Sequence, residues 1–119
     1  MADQFTLTTQ PVRLSVIGRQ ALDLAIDVSE YDEIDFLLGL LGEEGGTTGV
    51  SVKVITAMQN ESESGWVDLI SFASLDGPDK FDVQNAPAKI LKFIRWEVTG
   101  LGGATSVTFT VNGMLRRIR

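Results

Sequence analysis

At 119 residues, the chain is the size of one domain, able to bury about two-thirds of the surface its unfolded form exposes. It has no cysteine and no histidine, which excludes disulfides and thiolate metal sites and removes the commonest metal ligand and general base. The net charge is −6, and fifteen of the sixteen acidic residues precede residue 83, so no broad phosphate-binding face, and no nucleic-acid partner, is expected.

The opening MADQFTLTTQPV has no basic segment leading into an apolar run, so no secretory signal is expected. The longest apolar block, FLLGLL at 36–41, is too short to span a bilayer, and no membrane partner is predicted. The whole of 1–119 reads as a single domain, with 1–10 an N-terminal arm or an edge strand. QFTLTT (4–9) and VRLSVI (12–17) are the first strand candidates. ALDLAIDV (21–28) then sets Leu22, Leu24, Ile26 and Val28 on one face and Asp23 and Asp27 on the other, the alternation of a half-buried antiparallel strand. IDFLLGLL (34–41) is read as a strand, because no cap-and-stop pair frames a helix there. GEEGGTTG (42–49) is a flexible glycine loop, and VSVKVITAM (50–58) places Val50, Val52, Val54 and Met58 inward.

WVDLISFA (66–73) and KFDV (80–83) follow, separated by the Asp-Gly-Pro turn in SLDGPD (74–79). In ILKFIRWEVTG (90–100) alternation puts Ile90, Lys92, Ile94, Trp96 and Val98 on one face, and Leu91, Phe93, Arg95 and Glu97 on the other. Trp96 on the more apolar face is assigned to the core. Arg95 is assigned a structural role, its stem covering Phe93 and its guanidinium reaching a carboxylate. After GLGG (100–103), SVTFTVN (106–112) points Val107, Phe109 and Val111 inward, and MLRRI (114–118) closes the chain's strands. About eight strands with turns between them predict an all-β fold, an antiparallel β-sandwich or jelly roll.

Chemistry-bearing motifs are few. GLGG leads into a strand, whereas a phosphate cradle needs a helix N-terminus after its glycines. Glu61 and Glu63 in NESESGW (60–66) supply too few oxygens for a calcium ion, and Asp76, Asp79 and Asp82 do not match the EF-hand spacing. No nucleophile-elbow pattern and no Ser-x-x-Lys in a strand–helix setting is present. No catalytic, cofactor-binding or metal site is predicted, and the chain is not expected to be an enzyme. The residues left as interface candidates are Tyr31, Trp66, Lys92, Arg116, Arg117 and Arg119. Residues 83–119 carry six basic side chains against Glu97 alone, and such a polarised layout suits docking to complementary protein surfaces, copies of the same chain included.

The order DVSEYDEIDFLL, VSVKVITAMQ, SESGWVDLISF and ILKFIRWEVTGLGGATSVTFTVNGML resembles a family of small tailed-phage virion proteins. The matching positions are Asp27, Ser29 and Tyr31; Ser64, Gly65 and Trp66; and Leu91, Lys92, Ile94 and Arg95, over about residues 20–113. Ser64 stands where the pattern has Asp or Asn, and MLRRIR is more basic than the pattern. The resemblance implies a capsid decoration (cement) protein, made in the host cytoplasm and bound to the outer surface of a phage head. Its implied partners are the major capsid protein and further copies of itself, a trimer first and a dimer second. Alternatives are another head-fibre or tail structural protein, or a carbohydrate-binding β-sandwich module using Trp66 and Tyr31.

Overall fold

A computed structural model describes residues 2–8, 10–29, 31, 33–86 and 90–116, of which 2–6 and 116 are described in backbone only. Ten strands are present among the described residues: β1 (Ala2–Thr6), β2 (Val12–Leu14), β3 (Gly18–Arg19), β4 (Ile26–Asp27), β5 (Glu33–Glu44), β6 (Ser51–Ala57), β7 (Val67–Ser71), β8 (Lys80–Ala86), β9 (Phe93–Gly100) and β10 (Ser106–Arg116). They form two antiparallel sheets. The first has the order β1-β10-β5-β8, with β2 also on β10; the second has the order β3-β9-β6-β7, with β4 also on β9. Each sheet thus has four ladder positions, one of them shared by two short strands. β1 pairs with residues 112–116 of β10 and β2 with 107–109; β3 pairs with 97–98 of β9 and β4 with 93–94.

One apolar cluster lies between the sheets. It takes Ile34, Phe36, Leu38 and Leu40 from β5, Val107, Phe109 and Val111 from β10, Val52 and Val54 from β6, and Ile94, Trp96 and Val98 from β9. Strict alternation along these strands delivers every second side chain to that side. Trp96 meets Phe109 edge-on, ring centroids 5.1 Å apart at 88°, which joins the central strands of the two sheets. Residues 34–41 lie within β5, a strand that runs for twelve residues.

Two sequence expectations are corrected. Residues 21–28 are not one strand: Leu22–Leu24 forms a 3₁₀ turn before the two-residue β4, and Leu24 is exposed. The chain makes this excursion because β3 and β4 use the same edge of β9 and must step around Arg95 and Trp96 between them. At the step, the side chain of Gln20 replaces a missing peptide group, its Oε1 accepting from Trp96 N at 3.3 Å while Gln20 N donates to Trp96 O at 3.0 Å. Met58 does not point inward; β6 ends at Ala57 and Met58 is exposed, and the inner position before it is Thr56. The Thr56 hydroxyl is satisfied by Phe93 O at 2.8 Å and Leu91 N at 3.0 Å.

The two glycine loops clasp one another. Thr48 N donates to Gly102 O at 2.8 Å and Thr47 Oγ1 to Leu101 O at 2.7 Å. Gly102, at φ +63°, lies so near the Gly49 backbone that a Cβ there would fall 2.4 Å from Gly49 O.

Candidate functional site

The outer face of the second sheet carries the densest polar construction among the described residues. Alternation that sends Ile94 and Trp96 inward must send Phe93, Arg95 and Glu97 outward. Outward residues of β6 and β9 are nevertheless covered, because Ile55, Ala57 and Trp66 form a second buried cluster with Leu22, Ala25 and Phe93 packed against it. The cover is the 59–66 loop together with the 3₁₀ turn. The loop is folded on itself by Gln59, whose Nε2 donates to Ser64 O at 2.8 Å and whose Oε1 accepts from Ser62 N at 3.0 Å. Trp66 Nε1 donates to Ser62 O at 2.9 Å, so the indole closes the loop.

Arg95 sits beneath this cover with 1 % of its surface exposed. Its Nε donates to Gln20 O at 2.8 Å, and Nη2 donates to the same oxygen. Nη1 and Nη2 donate to the two carboxylate oxygens of Glu63 at 3.1 and 3.0 Å, a bidentate pair. The guanidinium lies 4.7 Å from the Trp66 ring centroid. Burial of a cation demands this many partners, and the planar guanidinium can serve carboxylate, carbonyl and ring at once. Glu63 remains 59 % exposed in its side chain, so the pair straddles the surface. The hydrogen bonds from Arg95 hold the Glu63 carboxyl below its ordinary value, with Arg19 adding to the effect.

From Glu63 the charges continue across the strands. Arg19 Nη1 reaches Glu63 at 3.2 Å and its Nε reaches Glu97 at 3.2 Å; Lys53 reaches Glu97 at 3.4 Å and Asp68 at 2.8 Å. Glu97 is directly opposite both Arg19 and Lys53 in register, which is why the ladder forms. Every charge here has an opposite neighbour, so the arrangement holds a sheet face together.

A cleft of about 450 Å³ opens between β2 and the 20–26 segment, lined by Leu7, Pro11, Leu14, Leu24, Ile26 and Trp96. Most of its polar members are already engaged: Arg13 with Glu44, Arg19 with Glu63 and Glu97, Thr8 with Val111 N, and Gln20 with Leu7 O and the Trp96 backbone. It offers shape and apolar surface, with the side chain of Gln10 at its margin.

The interface candidates are dispersed. Trp66 is 8 % exposed with a ring face given to Arg95, and Tyr31 is half-buried against the main core. Lys92 is exposed, its Nζ 5.3 Å from the Phe93 ring centroid. Arg116 ends β10 opposite Ala2 and Glu33, while its side chain, and Arg117 and Arg119 entirely, lie outside the described residues. Asp76, Asp79 and Asp82 go separate ways: Asp76 pairs with Lys80, Asp79 occupies a left-handed turn position at φ +61°, and Asp82 accepts from Ala73 N at 2.8 Å and Gln84 Nε2 at 2.9 Å. Among the described residues no group of three or more acidic side chains is gathered to hold a metal ion.

Sequence reasoning missed Gln20 and Glu63 as partners of Arg95, and Arg19 as the second cation on Glu63. Gln20 is 75 residues from Arg95, Glu63 is 32 residues away in a loop read as solvated, and Arg19 is 44 residues from Glu63, so no local pattern announces them. It also missed the outer face of the first sheet, where Phe81 and Val83 of β8 and Leu37 and Leu41 of β5 are exposed. That signal was available in KFDV, where two large apolar residues alternate with Lys80 and Asp82.

These features define an all-β protein of two antiparallel sheets with one inter-sheet core. No protein-family model matches the chain, and no curated protein matches it. Among solved structures, the crystal structure of the SPBc2 prophage-derived protein YomS is similar in fold, with a TM-score of 0.52 at 14 % identity, covering 97 % of this chain and 92 % of that one.

Proposed function

We propose that the chain is a structural virion protein with a jelly-roll fold, a capsid decoration protein that binds the outer surface of a phage head as a homo-oligomer and stabilises the junctions between capsomers. The observation that carries this reading is the fold match, which runs over nearly the whole chain of a prophage-derived protein. The jelly roll is supported by the strand order, in which each sheet draws from both halves of the chain and every connection but the β6–β7 hairpin and the split edges passes between sheets. The charged ladder supports a structural role, since it fixes a sheet face by pairing. Trp66, the aromatic that a sugar-binding module would use, spends a ring face on Arg95, which weighs against the carbohydrate reading.

The test is co-sedimentation of purified protein with phage heads that lack it, with purified tails as the second arm. Saturable binding to heads, and heads that resist heat better once decorated, is the expected result. Binding to tails alone would move the protein to the fibre or tail, and binding to neither would reject the virion reading.

A further inference from the structure

Gln20 is a buried residue that uses all four of its polar groups, on three different parts of the chain. With 4 % of its surface exposed, it donates from Nε2 to Leu7 O at 2.9 Å and accepts at Oε1 from Trp96 N at 3.3 Å. Its backbone N donates to Trp96 O at 3.0 Å, and its backbone O takes two donors of Arg95, Nε at 2.8 Å and Nη2. Leu7 and Thr8 continue the N-terminal strand. β1 pairs with residues 112–116 of β10, Leu7 N and Thr8 N then both donate to Val111 O at 2.9 and 3.2 Å, and Thr8 Oγ1 accepts from Val111 N at 3.1 Å. One side chain thus ties an edge strand of the first sheet to the cation that holds the 59–66 loop over the second.

We propose that β1 is a strap whose docking is coupled, through Gln20, to closure of the 59–66 loop over Arg95. β1 stands at the edge of its sheet with β10 as its neighbour, and an element held from one side is the part of a sheet that opens most easily. When it lifts, departure of Leu7 O leaves the Gln20 carboxamide with a buried donor and no acceptor, a cost that favours turning the side chain off Trp96 N. That side chain and the backbone pair with Trp96 hold the Gln20 peptide against β9, and its oxygen is the one on which Nε and Nη2 of Arg95 converge. A buried guanidinium that loses this acceptor must find another, and the fork that serves both Glu63 oxygens is released with it. The loop then loses its anchor, and Trp66 the cation against its ring. Half-satisfied buried networks are costly, so the two ends open and close together. The coupling runs equally in both directions: whatever engages the exposed carboxylate of Glu63 is felt at β1 by the same factor.

The coupling is independent of the capsid reading, since both of its ends lie in one chain. It is tested by hydrogen exchange, followed by NMR on the full chain with two reporters. The indole N–H of Trp66, which donates to Ser62 O at 2.9 Å, reads the loop, and the Leu7 amide reads the strap. The Thr48 amide, in the glycine clasp and outside this network, reads overall stability. Thr8→Val removes the acceptor for Val111 N in the strap and is expected to speed exchange at the Trp66 indole at least about fivefold. Glu63→Gln, at an exposed side chain, is expected to speed exchange at Leu7 by a similar factor, and it keeps the coupling measurable if Thr8→Val does not fold. Gln20→Met keeps the length of the side chain without its donor or acceptor, and in that background each substitution is expected to act at its own end only. Effects that stay local in the wild-type background, cross-effects that survive Gln20→Met, or a Thr48 amide that speeds up in parallel would each overturn the inference.

Discussion

Arg95 shows what a buried cation needs. Four of its five N–H donors are spent on one carbonyl and one carboxylate, and its guanidinium lies over the Trp66 ring. Arg95→Ala leaves Gln20 O without its donor and a void under the indole, and is expected to cost about 3 kcal/mol in chemical denaturation. Arg95→Lys keeps the charge but loses the fork, and is expected to recover less than half of that. Glu63 makes a pH-dependent contribution. Its carboxyl is depressed chiefly by the bonds from Arg95, so its stabilisation is present above the ordinary value of 4.5 and is lost as pH falls through the lower folded value. Glu63→Gln is therefore expected to melt below the wild type at neutral pH, and the gap between the two melting temperatures is expected to close on acidification below 4.5. A gap that persists at low pH would mean the carboxylate's charge is not what matters.

At the scale of elements, the glycine loops at 42–49 and 100–103 form a clasp that neither shows alone. Gly103→Ala, at φ +89° with open space around it, is expected to cost about 1 kcal/mol of backbone strain. Gly102→Ala adds a collision with the Gly49 backbone to the same strain, and is expected to cost about 3 kcal/mol or more by denaturant titration. Equal effects at the two positions would mean the loops yield easily. What was legible in the sequence follows from the same contrast. The division of β9 into a face with Ile94, Trp96 and Val98 and a face with Arg95 could be read from alternation, because β9 keeps its register on β6 from Phe93 to Val98. The 21–28 segment could not, because its alternation of apolar residues persists while the backbone leaves the sheet. Leu22 is spent on the outer cluster, Leu24 on solvent and Val28 on the core. The Arg95 site was legible only as a demand for a carboxylate; which one answered it depends on how a distant loop folds back.

At the scale of the molecule, the strand that completes the first sheet's middle is the last one, and β9, second to last, has the same place in the other sheet. β1, β2 and β5 all pair with β10, and β3, β4 and β6 all pair with β9. Pairings this distant in sequence close slowly, so refolding is expected on the millisecond-to-second scale of all-β domains dominated by non-local contacts. Removing residues 106–119 should abolish any cooperative melting transition, whereas a chain that still melted cooperatively without them would show that the second sheet is stable alone. In a cell, the consequence falls on the ribosome. Until residues 93–116 have left the exit tunnel, the preceding strands have no middle to assemble around, and their apolar faces stay open to other nascent chains. Folding therefore waits on these two strands, and the interval before they emerge is where aggregation would compete with it.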